Sequence, residues 1–269
     1  MPDRSTARSE SFASLLESRV ALVAAHPDDE ILGLGGCLAQ IPAPMIIHVT
    51  DGAPRELVDA LRAGFANREQ YAGARRRELD RALAAAAVSH ERRLAFCEVD
   101  QESVFHLAEL TRELIPLLAS VEWVITHPYE GGHPDHDAAA FIVQAACARL
   151  ERAIGRAPQR LEFASYHARD GAIVRGEFWP DTACPEAAFT LDSSQRARKR
   201  AALAKFTSQR ALIAAFPTDV ERLRPAPRYE FRAPPPPGVA LYDRFGWAVH
   251  SDLWRGEAAR ALAALKLDA

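Results

Sequence analysis

The stretch Ala25-His26-Pro27-Asp28-Asp29-Glu30 places one imidazole and three carboxyl groups within five positions, directly after the apolar run Val20-Ala21-Leu22-Val23-Ala24. Ionisable groups at the end of a strand with no polar side chains are costly to bury unless something compensates them. A metal ion would do so. Imidazole nitrogen and carboxylate oxygen suit zinc, whose catalytic sites take three protein ligands and keep a fourth position for water. A second cluster of the same residue types, Gly131-Gly132-His133-Pro134-Asp135-His136-Asp137, follows the strand-like run Trp123-Val124-Ile125-Thr126.

Both motifs need a scaffold that brings two strand ends together, and the order of elements supplies one. Apolar runs at 20–25, 45–50, 93–99, 122–126 and 161–167 read as strands. They alternate with helical stretches at 69–87, 107–119 and from 135 onward, where Asp135 and Asp137 sit at the positive end of the helix. This alternation predicts an α/β fold, Rossmann-like, with a mostly parallel sheet of order 3-2-1-4-5 and helices on both faces. In that order strands 1 and 4 are neighbours, and the crevice past their carboxyl ends is where such sheets bind ligands.

After residue 170 the pattern is irregular. A short edge strand at 188–191 and an amphipathic helix over 194–216 are expected, then an extended segment marked by Pro225-Ala226-Pro227 and Pro234 to Pro237, and a closing helix over 254–265. The expected organisation is a polar N-terminal arm (1–18), a catalytic α/β domain (19–216), and a Pro-rich crossover with a C-terminal helix (217–269) packing on that domain.

Ala-His-Pro-Asp-Asp-Glu after the first strand, with His-Pro-Asp-His downstream, resembles the LmbE-like (PIG-L) family of zinc-dependent N-deacetylases. Thr50-Asp51-Gly52 and Arg75-x-x-Glu78 are similar to further places in that family, and the likeness covers roughly residues 19–170. The resemblance implies one zinc ion per chain held by His26, Asp29 and His136. It implies Asp28 as general base, and a protonated His133, oriented by Asp135, as the group that meets the developing oxyanion. It further implies removal of an acyl group, most simply acetyl, from a soluble N-acylated amino sugar or conjugate. Asp51, Arg75, Tyr129 and Glu130 are the candidate partners for the substrate's hydroxyls. For Arg75 the competing reading is an i,i+3 ion pair with Glu78. One departure stands out: some relatives carry Tyr where this chain has Gly131.

Composition narrows the alternatives. The net charge of -3 leaves no electrostatic footprint for nucleic acid or an anionic membrane. Cys37, Cys97, Cys147 and Cys184 are too widely spaced for a zinc ribbon or a disulfide framework, and reduced thiols fit a cytoplasmic protein. No run approaches the ~20 apolar residues of a membrane helix. Homo-oligomerisation is left open. Two other functions share the motifs: a metal-dependent hydrolase of another amide or a phosphoester, and a Rossmann-like binding protein without turnover. The phosphoesterase reading calls for more ligands than one ion needs, and a binding protein has no use for a free carboxylate such as Asp28 beside a metal.

Overall fold

A computed structural model describes residues 15–89, 91–236 and 238–268. Residues 1–14 of the expected N-terminal arm lie outside the described residues.

The first half of the chain alternates strand and helix: β1 (Val20–Ala24), α1 (Asp29–Leu34), β2 (Met45–Pro54), α2 (Val58–Arg62), α3 (Arg68–Ala85), β3 (Arg93–Asp100), α4 (Leu107–Leu118), β4 (Trp123–Thr126), α5 (Pro134–Ile154) and β5 (Gln159–Phe163). These five strands are parallel and ordered β3-β2-β1-β4-β5, as the alternation predicts. Every residue of β1 is buried, because helices cover both faces of the sheet. The two-residue period of the strands divides the apolar side chains between two cores. Ala21, Val23, Ile47 and Val124 join one core with α4 and α5. Val20, Leu22, Ile46 and Ile125 join the other with α1 and α3. Truncating any of these to alanine removes roughly 2–5 kcal/mol where the original is Leu or Ile.

The second half departs from expectation. The run expected as one strand over 161–167 divides after Phe163: β5 stays in the main sheet, and β6 (Tyr166–Arg169) pairs with β7 (Ala172–Arg175) as a separate hairpin. Its turn is Asp170-Gly171, with φ of 51° and 82°, the combination a two-residue hairpin turn requires. Next come β8 (Ala187–Thr190), α6 (Ser193–Leu203) and α7 (Arg210–Ile213). The single helix expected over 194–216 is thus broken. Phe206 dives into the core, and Glu78 accepts hydrogen bonds from Thr207 Oγ1 (2.6 Å), Ser208 N (3.0 Å) and Ser208 Oγ (2.6 Å), drawing the chain off the helical path.

A further strand, β9 (Val220–Pro225), was not expected. It runs antiparallel between β5 and the edge strand β8, so the segment after residue 217 contributes to the main sheet itself. The chain ends in α8 (Ser251–Ala264), whose Trp254 is fully buried against α5 and donates its indole N–H to Pro134 O at 3.0 Å. Among the described residues no helix is long and apolar enough to cross a membrane.

Candidate functional site

The pairing of β1 with β4 carries the two motifs to one place. His26 and Asp28 follow β1, Asp29 opens α1, and His133 to Asp137 cap and open α5. The start of α5 is built from its own sequence. His133 is the N-cap, its Nδ1 accepting the Asp135 backbone N–H at 3.2 Å, and Pro134 takes the first helical position, where a missing N–H is harmless. Gly132 is required by a neighbour: a Cβ there would lie 1.9 Å from Tyr166 O. That close approach lets Ser165 Oγ reach His136 Nδ1 at 3.1 Å.

Potential ligand atoms of His26, Asp29 and His136 lie within 4.8 Å of one another. Asp29 is the hub, with Oδ2 3.1 Å from His26 Nδ1 and Oδ1 3.4 Å from His136 Nε2. His136 Nε2 is buried and has no hydrogen-bond partner among the described residues, while Ser165 occupies the other ring nitrogen. Burial, with His127 and His26 beside it, lowers the His136 pKa to about 3, leaving a neutral ring with a free lone pair. A lone pair of this kind, next to a carboxylate, is what a divalent cation coordinates. The residues present therefore fit a metal ion.

Charge balance supports the same fit. Asp28, Asp29, Asp100 and Asp135 are all buried, and the one arginine among them is Arg75. Burial opposes ionisation of Asp29, but the imidazoles of His127 and His26 beside it hold its carboxyl well below the usual range. Burial would lower His26, yet Asp100 and Asp29 raise it well above its ordinary value. Asp29 and Asp100 thus keep their negative charges and draw a positive one to the His26 ring.

Asp28 stands apart from the hub. Arg75 Nη2 donates to Asp28 Oδ2 at 2.9 Å and Arg75 Nη1 to Gly52 O at 2.6 Å, fixing the carboxylate at the edge of the cluster. Burial lifts the Asp28 pKa to about 6 despite that guanidinium. A carboxylate near this value suits proton transfer at neutral pH.

His133 differs from expectation in two respects. Burial, together with His26, lowers its pKa to about 3, so the ring is neutral at pH 7 rather than an imidazolium. Its orientation comes from the Asp135 backbone N–H, which places the ring proton on Nε2. The Asp135 carboxylate is engaged elsewhere: Oδ1 accepts from Ser103 Oγ, while Oδ2 accepts from Gln101 N at 2.6 Å and lies 3.2 Å from His26 Nε2.

The four candidate substrate contacts are occupied within the fold. Arg75 pairs with Asp28, and the alternative i,i+3 pair with Glu78 is absent because Glu78 binds the 207–208 turn. Asp51 accepts from Arg68 and from Ala53 N at 3.0 Å. Tyr129 lies in the core, stacked on Trp254, its hydroxyl donating to Ala233 O at 2.9 Å. Glu130 accepts from Arg224 Nη2 at 2.8 Å and from Trp179 N at 2.9 Å.

Asp100 belongs to the site and escaped sequence reasoning. It ends β3 with Oδ1 3.3 Å from His26 Nε2 and 3.7 Å from His133 Nε2. Its signal was positional: it terminates a parallel strand at the carboxyl edge that carries both motifs.

Residues 21–147 match the family described as "PIG-L: GlcNAc-PI de-N-acetylase". A probable N-acetyl-alpha-D-glucosaminyl L-malate deacetylase from Bacillus subtilis is 28% identical over 144 residues, which cover 51% of this chain and 64% of the relative. A 1D-myo-inositol 2-acetamido-2-deoxy-alpha-D-glucopyranoside deacetylase from Saccharopolyspora erythraea is 32% identical over 169 residues, covering 49% of this chain and 54% of the relative. The chain thus spans less than two thirds of either relative's length. The zinc-inhibited form of a teicoplanin deacetylase shares the fold, with a TM-score of 0.56 at 16% identity over 79% of this chain and 99% of that one. Both motifs lie inside the stretch that matches the PIG-L family, and the sheet that carries them is shared with that deacetylase structure.

Proposed function

We propose that this chain is a zinc-dependent N-deacetylase acting on an N-acylated amino sugar or sugar conjugate. The observation that carries the reading is the buried cluster around Asp29, where His136 Nε2 is unpartnered and the carboxylates exceed the cations beside them. The two sugar-conjugate deacetylases among its relatives supply the substrate class.

His26, Asp29 and His136 would hold the ion. Zinc bound there supplies a Lewis acid for the amide carbonyl and lowers the pKa of water toward 7. Asp28 takes the proton of the attacking water and returns it to the nitrogen as the C–N bond breaks, giving a carboxylate and a free amine. Arg75 keeps Asp28 aimed while doing so. Neutral His133 donates its Nε2–H to the oxygen that gains negative charge, an interaction stronger in the transition state than in the bound substrate.

Zinc-loaded protein should release free amine from at least one member of a panel of N-acetylglucosamine glycosides and conjugates, with one zinc per chain by elemental analysis. Stoichiometric zinc with no amine released from any N-acyl sugar overturns the substrate class; absence of bound zinc overturns the mechanism.

A further inference from the structure

After β9 the chain returns to the carboxyl edge of the sheet and fastens onto the second motif. Leu241 N donates to Gly131 O at 2.6 Å, and Tyr242 Oη donates to Asp137 Oδ2 at 3.1 Å. Just beyond, Gly246 takes a φ of 67°, a turn that glycine accepts without strain, between Phe245 and Trp247. The Trp247 ring meets His133 edge to face with centroids 5.0 Å apart, and Phe245 packs on Trp247 at the same 5.0 Å. Phe245 is 44% exposed and Trp247 is partly exposed. The pair therefore forms a partly exposed aromatic rim on the His133 side of the centre, opposite in character to the carboxylates and imidazoles it borders. No hydrogen bond engages the Trp247 indole N–H among the described residues.

An exposed aromatic face with a free donor beside it matches the apolar C–H face and outlying hydroxyls of a pyranose. The four loop residues first considered for that role are taken up by the fold, which leaves this rim as the open surface in contact with His133. We propose that Trp247, backed by Phe245, is the platform on which the sugar ring stacks so that its N-acyl carbonyl reaches Asp28 and His133; this rests on the deacetylase reading above.

Two measurements on the zinc-loaded full chain test it. Methyl 2-amino-2-deoxy-α-glucopyranoside, which carries no acyl group to lose, should quench tryptophan fluorescence saturably. Trp247→Phe should abolish that quench while keeping calorimetric affinity within about threefold, and Trp247→Ala should lower affinity about tenfold. With the N-acetylated glycoside as substrate, Trp247→Ala should raise KM about tenfold while kcat changes by less than about threefold.

An unchanged quench in Trp247→Phe, or a loss confined to kcat in Trp247→Ala, overturns the platform, the second outcome making Trp247 a shield for His133. Because Trp247→Phe keeps an aromatic ring, it decides the question even where the alanine variant misfolds. Binding with a Trp247-dependent quench but no amine release would keep the platform and discard the deacetylase reading; amine release independent of Trp247 would do the reverse. A wild type that neither binds the amino sugar nor releases amine discards both.

Discussion

Two buried charge clusters flank β4, and they differ in how their side chains are arranged around positive charge. On one side Glu130 and Glu162 converge on Arg224, whose Nη2 and Nε lie 2.8 and 2.9 Å from them, with Tyr229 Oη adding a donor to Glu162 at 3.0 Å. On the other, Asp28, Asp29, Asp100 and Asp135 face Arg75 and a set of imidazoles. The first cluster holds one guanidinium between its two carboxylates and serves as a rivet between β5, β9 and the loop after β4, although Glu130 Oε2, Glu162 Oε1 and both ring nitrogens of the neighbouring His167 have no hydrogen-bond partner among the described residues. The second also keeps an unpartnered imidazole nitrogen, His136 Nε2, but there it converges with ligand atoms of His26 and Asp29 within 4.8 Å. The difference separates a structural ion pair from a candidate binding site by whether ligand atoms converge with no guanidinium between them, rather than by burial or hydrogen-bond satisfaction.

The sharpest way to break the comparison is at Asp28, which belongs to the second cluster but not to the proposed ligand set. Asp28→Asn should retain zinc and lose roughly two to four orders of magnitude in kcat; loss of zinc in that variant would make Asp28 a ligand and send the search for the base elsewhere. In the first cluster Arg224→Met should leave two carboxylates buried and unpaired, costing about 3–5 kcal/mol by urea unfolding. A cost under about 1 kcal/mol would mean that the arginine is not the compensating charge.

On the proposed zinc site the second cluster's countercharge comes from solution, so its compensation is removable. Stripping zinc with a chelator should lower Tm, and restoring zinc to ~100 times its Kd should recover about 2.7 kcal/mol, whereas Arg224 variants should not respond to zinc in proportion to their damage. Equal Tm with and without zinc would contradict binding at a folded site. The smallest expected effect is at Asp100. If it supports the far nitrogen of His26, Asp100→Asn should weaken zinc affinity by roughly 10- to 100-fold, measured by competition with a chromogenic chelator; an unchanged affinity would leave Asp100 only a packing role.

The same comparison explains what could be read from the sequence. β1, β2 and β4 carry long apolar runs, so the alternation and the order of the parallel strands were legible, and with them the meeting of His26 and His136, whereas β5 carries Gln159, Arg160 and Glu162 and its bounds were not. β9 was hidden because it carries the charged residues Glu221 and Arg224 into the interior. Glu221 accepts from Gly36 N and Lys199 Nζ, and Arg224 from β9 binds Glu130 and Glu162. Inward charges erase the alternation that marks a strand. Tyr129 and Glu130 were misjudged for a related reason: proximity in sequence to a motif does not fix which way a side chain leaves the backbone, and both turn away into the core. The neutral state of His133 could not be read either, because it depends on the distance to His26 and on burial, which only the fold sets.

The late position of β9 also bears on how the chain is made. During synthesis from the amino terminus, His26, Asp29, Asp100 and His136 have all emerged before residue 163, where β5 ends. β8 follows, yet its pairing in the sheet is with β9 alone among the described residues, so it stays undocked until residues 220–225 leave the ribosome. Until then the free edge of β5 is a template for another chain's strand. A nascent or truncated chain ending near residue 216 should therefore have the proposed metal ligands in sequence and still be prone to aggregate, and a chaperone that covers the β5 edge should act in that interval.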